Sequence, residues 1–171
     1  MTRGTAAQWA ESTGRQCGKC SLCCKLLYVK ELNKPANTWC EHCRPGKGGC
    51  SIHETRPPIC RIYFCAWMMA KGLGEEWYPL RSHMVLSQVR INDVQVLMIT
   101  VDPERPGVWR SEPYYSHIKV MSQRGLIGHD PMVVVIRCGG AKWLILPHED
   151  KPIADDSYIL PPQHWRRTAT P

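Results

Sequence analysis

The sequence predicts an α+β fold, in which a cysteine-rich half with short helices is followed by a small antiparallel sheet of about four strands. Two observations support this class. Nine of the ten cysteines fall between Cys17 and Cys65, and runs rich in β-branched residues separated by turn dipeptides fill the later half. We divide the chain into a polar N-terminal tail (1–16), a cysteine module (17–72) and a sheet region with a C-terminal tail (73–171). A chain of this length is expected to form one compact unit.

The sequence pattern of the first 72 residues predicts turns and short helices. Residues 1–16 are polar and lack a periodic apolar pattern, so we expect a tail or a short leading helix. The cysteine-rich half is interrupted by the turn-forming segment Arg44–Gly49. The apolar segment Ala66–Lys71 predicts a short helix that ends at Gly72.

Four strands are predicted in the second half. His83–Ile91 and Val94–Val101 are rich in β-branched residues and are separated by Asn92-Asp93, a dipeptide at hairpin spacing. Met132–Arg137 and Lys142–Leu146 form a second pair around two glycines. Two hairpins imply an antiparallel sheet.

The remaining segments are assigned as follows. Tyr114–Arg124, between the two hairpins, could form a helix packed on one face of the sheet. Cys138 lies inside an apolar run, where a cysteine most often acts as a small buried hydrophobic residue. The residues from Asp155 to the C-terminus are expected to be loop and tail.

The cysteine spacing indicates a metal site. In a reducing compartment, thiols serve metal binding or redox chemistry more often than structural disulfides. A Cys-x2-Cys turn supplies two of the four sulfurs that a tetrahedral metal requires. This spacing occurs in Cys17/Cys20, Cys20/Cys23 and Cys40/Cys43.

The adjacent pair Cys23-Cys24 is compatible with one shared site. If residues 17–24 were helical, at about 100° per residue, Cys17, Cys20, Cys23 and Cys24 would occupy one face of about 120°. In an extended chain, by contrast, the two adjacent side chains would point to opposite sides.

A second cysteine group extends from Cys50 to Cys65 and contains two arginines, Arg56 and Arg61, whose charge favours thiolates. His42 and His53 are alternative nitrogen ligands or exposed loop histidines. The candidate metal ligands are Cys17, Cys20, Cys23, Cys24, Cys40, Cys43, Cys50, Cys60 and Cys65.

These residues carry a resemblance to a known family. CxxCxxCC at 17–24, with Cys50-x-Ile52 and Arg56-Pro57-x2-Cys60-Arg61 followed by an aromatic residue and Cys65, resembles the CxxCxxCC cysteine-cluster family. That family is described as a zinc- or iron-chelating domain, is often labelled iron–sulfur-cluster-containing, and includes the cysteine module of flagellin lysine-N-methylases. The resemblance covers roughly residues 17–67 and implies metal-site roles for Cys17, Cys20, Cys23, Cys24, Cys50, Cys60 and Cys65, with Cys40 or Cys43 matching a further family cysteine.

Two positions depart from the family pattern. The family often has a glycine where this chain has Ser21-Leu22, and a tyrosine is usual at the position of His53. Neither departure removes a thiol.

Both iron–sulfur clusters and zinc accept thiolate ligands. The run Cys17-x2-Cys20-x2-Cys23 resembles the start of a ferredoxin cluster loop, although the fourth cysteine followed by proline is missing. Cys40-x2-Cys43 is typical of a zinc knuckle. We expect an iron–sulfur cluster, with zinc as the alternative.

The predicted function is metal binding linked to redox chemistry or protein modification, with an unknown protein or redox partner. The alternative is a structural zinc module that presents a sheet for protein or nucleic-acid binding. We identify no catalytic residues, nucleotide-binding glycine loop or methyl-donor signature. The net charge of +7 would favour nucleic acid, but metal-bound thiolates would lower it, and nucleic acid is disfavoured as a partner. The absence of a long apolar run or secretory pattern predicts a cytoplasmic protein without a membrane partner.

Overall fold

The computed structural model describes residues 6–47 and 49–166. The chain forms two compact units, which we call the cysteine unit (Met1–Val85) and the sheet unit (Leu86–Pro171). Helices alternate with loops in the first unit, and the strands lie almost entirely in the second, so the predicted α+β class is confirmed.

The helices of the cysteine unit are short. They are α1 (Ala6–Thr13), α2 (Leu22–Leu26), α3 (Pro58–Ile62), α4 (Ala66–Met69) and α5 (Pro79–Ser82). A positive φ at Gly14 lies just after α1, while Pro58 and Pro79 begin α3 and α5, where a missing N–H costs nothing. The predicted helix at Ala66–Lys71 is present but ends two residues earlier, at Met69.

Contacts between α1 and α4 bring the start of the first cysteine group close to the end of the second. Thr13 Oγ1 donates to Met68 O at 2.7 Å. The Arg15 guanidinium donates to Trp67 O at 2.6 Å and to Ala70 O at 2.9 Å, and it stacks over the Trp67 ring. These carbonyls lie at the open end of α4, where no helical N–H is available to them. Arg15 therefore ties the residues before Cys17 to the residues after Cys65.

The sheet contains five strands in the order β1-β2-β3-β4-β5. They are β1 (Met84–Ile91), β2 (Val94–Val101), β3 (Val133–Cys138), β4 (Ala141–Ile145) and β5 (Asp150–Ile153). The predicted small antiparallel sheet is present, and it differs from the prediction in two details. A fifth strand is present, and β2 pairs with β3 in parallel, from Val96 opposite Val133 to Val101 opposite Cys138.

The connections explain this topology. β1 and β2 are joined by Asn92 and Asp93, whose positive φ angles of 49° and 61° match a two-residue hairpin turn. The parallel pairing of β2 and β3 needs a long crossover, which contains α6 (Tyr114–Ile127). The predicted helix at Tyr114–Arg124 is confirmed, with three further residues. Among the helices of the described residues, none is both long and apolar enough to cross a membrane.

Residues 159–166 pack in the core of the sheet unit and are not the predicted loop and tail, while the rest of the predicted tail lies outside the described residues. α7 (Pro162–Arg166) carries Trp165, which is only 5% exposed and packs in a cluster with Val135, Leu144 and Ile159. The edge strand β5 contains Pro152, which an edge tolerates because one side of that strand has no ladder partner.

Gly125 allows α6 to approach the segment that leads into β3. A Cβ atom at this position would lie 2.7 Å from Met132 O and 2.9 Å from Met132 Cγ. We expect Gly125→Ala to lower the free energy of unfolding by about 1–2 kcal/mol, because the overpacking cost exceeds the gain in helix propensity. Urea unfolding would measure the change, with Gly140→Ala as the control, since nothing lies within 4 Å of a Cβ there. A Gly125→Ala protein as stable as the wild type would contradict this expectation.

Candidate metal centre

The first cysteine group is divided between a turn and a helix. Cys20 N donates to Cys17 O at 2.8 Å, and Gly18 has a positive φ of 53°. α2 begins only at Leu22, so the expectation of one helical face over residues 17–24 is wrong for the first half of the segment. Cys23 and Cys24 do lie together on α2, and both are half-buried.

Lys34 holds the chain around the end of α2. Its side chain is buried at 5% exposure, and Nζ donates to Lys25 O at 2.8 Å, to Pro35 O at 2.9 Å and to Leu27 O. Burial lowers the pKa of Lys34, while nearby thiols, above all Cys24, oppose that change. The lysine thus satisfies carbonyls that the short helix leaves open, and it places a positive group near the cysteines.

Backbone contacts bring the middle cysteines to α2. Cys40 N donates to Cys24 O at 3.0 Å, and Cys43 N donates to Cys40 O at 3.0 Å. Cys43 and Cys50 face each other in an isolated antiparallel bridge. Cys60 lies on α3, where its thiol is within electrostatic reach of Cys24, Cys40 and Cys50.

Cys24 accepts hydrogen bonds from two neighbouring thiols. The hydrogen bond from Cys23, followed by that from Cys43, lowers the pKa of Cys24 to about 6. The same hydrogen bond raises the pKa of Cys23 well above its usual value, with burial adding to the effect. Burial and then the charge of Cys24 raise the pKa of Cys43 to about 11. Cys24 is therefore the cysteine with a lowered pKa that most readily forms a thiolate, and hydrogen bonds from Cys23 and Cys43 stabilise that form.

Cys17, Cys20 and Cys65 form the other side of the site. Burial raises the pKa of all three, to about 11 for Cys20. Cys20 and Cys65 lie within electrostatic reach of each other and of Cys17. Tyr78 donates its hydroxyl to Cys17 O at 2.9 Å and so fixes the first turn.

Backbone amides point at two of these sulfurs. Cys20 accepts from the amide of Leu22, and Cys65 accepts from the amides of Met68 and Trp67. These three donors lie two or three residues after the cysteine that accepts from them, as in a loop that wraps around a thiolate. The amide of Leu80, far along the chain, also donates to Cys20. Such donors favour the charged form of sulfur, which is the form that binds metals.

All nine candidate cysteines lie in one electrostatic network, which we call the thiol cluster. Cys24 connects its two sides, because it acts on both Cys17 and Cys60. The members are Cys17, Cys20, Cys23, Cys24, Cys40, Cys43, Cys50, Cys60 and Cys65. Cys138 is buried on β3 of the sheet unit, as expected for a small hydrophobic residue.

The side chains are not arranged as a metal cage. Within residues 6–47 and 49–166, no three His, Cys, Asp or Glu side chains are placed to hold one metal ion. The thiols of Cys23 and Cys43 instead donate hydrogen bonds to the Cys24 sulfur. Metal binding would therefore require thiol side chains to rotate and lose these protons. The donor set itself, soft sulfur with backbone N–H groups around it, fits zinc or an iron–sulfur cluster.

The two histidines contact glutamates. His53 is exposed, with Nδ1 3.2 Å from Glu54 Oε1, and His42 Nε2 lies 3.4 Å from Glu41 Oε1. Their interpretation as loop histidines is favoured over a role as nitrogen ligands.

Sequence reasoning missed two residues of this region, Lys34 and Ser21. Lys34 carries no signal in the sequence, because one lysine among many becomes special only through burial. Ser21 stands in the spacer where the resembled family often has glycine, and that difference was the available signal.

No protein-family model, curated protein or solved structure matches this chain. The candidate metal centre therefore rests on its own residues.

Proposed function

We propose that this protein binds metal through the thiol cluster, as an iron–sulfur cluster or, in the alternative, as zinc. One observation carries the proposal: cysteines from four separated parts of the cysteine unit meet in a single cluster. Without a bound cation, ionised thiols that lie close together repel each other, since each ionised sulfur raises the pKa of the others. A bound cation offsets that repulsion.

The charges around the cluster support the same proposal. The charges of Lys34 and Arg56 both favour the ionised form of Cys24. Four thiolates on one Zn²⁺ carry a net charge of about −2, so positive neighbours would stabilise the loaded site. We infer that Cys24, with ligands from Cys17, Cys23, Cys43 and their neighbours, would hold the metal.

The chemistry supplied depends on the metal. A bound iron–sulfur cluster would supply one-electron transfer, and the cysteine residues would set its exposure to a redox partner. The second candidate function, a structural zinc module, is favoured by the small apolar core around α2. That core consists of Leu22, Leu26 and Val85, with partly buried neighbours. A metal would add stability to the part of the unit around α2, where this cluster is small.

Metal analysis of protein purified without air tests the proposal directly. We expect stoichiometric iron with acid-labile sulfide and a visible absorption spectrum, or stoichiometric zinc in a colourless protein. Thiol titration of the native protein should then find most of the ten cysteines protected. A preparation without iron or zinc, in which all ten thiols react at once, would overturn the proposal.

Metal affinity is expected to rise with pH. The raised pKa of Cys20 and Cys43, about 11 for each, means that these thiols are protonated at pH 7 and must lose a proton to bind metal. Cys24, with a pKa of about 6, is already ionised above pH 6. A site of four thiols that includes Cys24 should release about three protons per metal ion near pH 7.

Competition titrations of Co²⁺ at several pH values would measure this dependence, together with proton release in weak buffer. Cys138→Ser is the control, because this thiol lies in the sheet unit. An affinity that stays constant from pH 6 to pH 8, with no proton release, would contradict the involvement of these thiols.

A further inference from the structure

Two hydrogen-bond donors are buried in the cysteine unit without completing a hydrogen bond to any described residue. They are the hydroxyl of Ser21 and the Nε–H of Arg56. Ser21 is only 4% exposed. Buried donors are nearly always paired, because an unpaired one costs about 1–3 kcal/mol. A nearby thiolate acceptor would remove this cost for each donor.

Ser21 lies beside the thiol cluster. It is the residue before α2, the helix that carries Cys23 and Cys24. Its hydroxyl is close enough to the Cys43 sulfur to favour the ionised form of that cysteine. The fold therefore places the Ser21 hydroxyl beside the Cys43 sulfur, which accepts a hydrogen bond more strongly as a thiolate.

Arg56 acts on cysteines from three parts of the chain. Its charge favours the ionised forms of Cys17, Cys24 and Cys60. The neighbouring Arg61 behaves differently, since its Nε donates to Arg56 O at 3.0 Å and its Nη2 donates to Glu54 O at 2.7 Å. Arg61 therefore stabilises the backbone of the loop that carries Arg56. The Nε–H of Arg56 makes no such hydrogen bond to a described residue and is available to a sulfur acceptor.

We propose that Ser21 and Arg56 are positioning residues that donate hydrogen bonds to metal-bound thiolates, Ser21 to Cys43 and Arg56 to a thiolate within reach of its charge. This inference rests on the proposed metal-binding function. Hydrogen bonds withdraw electron density from sulfur, so they stabilise the loaded site and lower the energy of its sulfur electrons. In an iron–sulfur protein the same donors raise the reduction potential.

Cobalt binding by the full-length protein tests this role. We expect Ser21→Ala and Arg56→Gln each to weaken Co²⁺ binding by about tenfold to a hundredfold. The sulfur-to-cobalt charge-transfer band should also move to lower energy, because the thiolate has lost a hydrogen bond. Ser21→Thr keeps a hydroxyl and should restore the band, whereas Arg56→Lys keeps the charge but lacks the Nε–H and should not.

Matched controls are available in the same region. Ser51→Ala removes an exposed hydroxyl next to Cys50, and Arg44→Gln removes an exposed guanidinium next to Cys43. Both should bind Co²⁺ like the wild type. If Ser21→Ala and Arg56→Gln also behave like the wild type, or weaken binding without moving the band, the inference is overturned while the proposed function stands. A wild-type protein that binds neither Co²⁺ nor Zn²⁺, and that contains no iron when it is purified without air, would overturn both the inference and the proposed function.

Discussion

Replacing Cys24 with serine is expected to lower the metal affinity of the protein by more than about a hundredfold. Substitution of a residue that only hydrogen-bonds to a metal ligand costs up to about a hundredfold, and loss of the ligand itself should cost more. Cys24 is the central sulfur of the thiol cluster. It accepts hydrogen bonds from Cys23 and Cys43, and its charge reaches both Cys17 and Cys60. A serine hydroxyl is a hard ligand that stays protonated at neutral pH, so it cannot replace this thiolate.

Metal content and Co²⁺ affinity of the purified variants measure this effect. Cys138→Ser is the matched control, because it removes a buried thiol from β3 of the sheet unit and should leave the metal content unchanged. A Cys24→Ser protein that retains about half of the wild-type metal would indicate two sites, of which Cys24 serves one. Full retention of metal with unchanged affinity would show that Cys24 is not a ligand.

Much of the sheet could be predicted from local sequence. Val94–Val101 forms β2 with the predicted bounds, because a run of β-branched residues and a two-residue turn both act over short distances. Strand partners depend on the path of the chain between strands, and this explains the failure to predict the parallel pairing of β2 with β3.

The sequence did not predict β5 and α7, and the physical reason is the same for both. β5 contains Pro152 directly after the charged residues Asp150 and Lys151 and lacks the pattern of a central strand, yet it forms the edge strand of the sheet. The tail residue Trp165 is buried only because α7 packs in the core of the sheet unit. Neither the edge position nor this packing is encoded within a few residues of the segment concerned.

The candidate site, like the fold, could be predicted from the sequence only in part. The nine cysteines could be listed from the sequence, because metal ligation imposes residue types and spacings. Their arrangement could not, since the positive φ of Gly18 ends the assumed helical face before α2 begins. Arg56 could be singled out by its charge within the second cysteine group, whereas Ser21 is distinguished by its burial beside the thiol cluster.

Removing the metal is expected to loosen the cysteine unit while the central strands of the sheet stay intact. Around α2 the cysteine unit has long stretches of loop and a small apolar cluster of Leu22, Leu26 and Val85. Its larger buried side chains, such as Trp67 and Trp77, lie outside this cluster. Burial of the three side chains of this apolar cluster supplies only about 1.5–3 kcal/mol each. A bound metal at a hundred times its dissociation constant adds about 2.7 kcal/mol, and tighter binding adds more.

Hydrogen exchange on the full-length protein, with and without a chelator, measures this difference residue by residue. Amide protection in residues 17–65 should fall by about a hundredfold or more when the metal is removed, since exchange there reports local opening. Protection in β2, β3 and β4 should change little, because their side chains are buried in a core without cluster residues. The Cys24→Ser protein should already show the loosened pattern, and the chelator should alter it no further. Equal loss of protection in both units, or none in either, would mean that the metal does not stabilise the cysteine unit in particular.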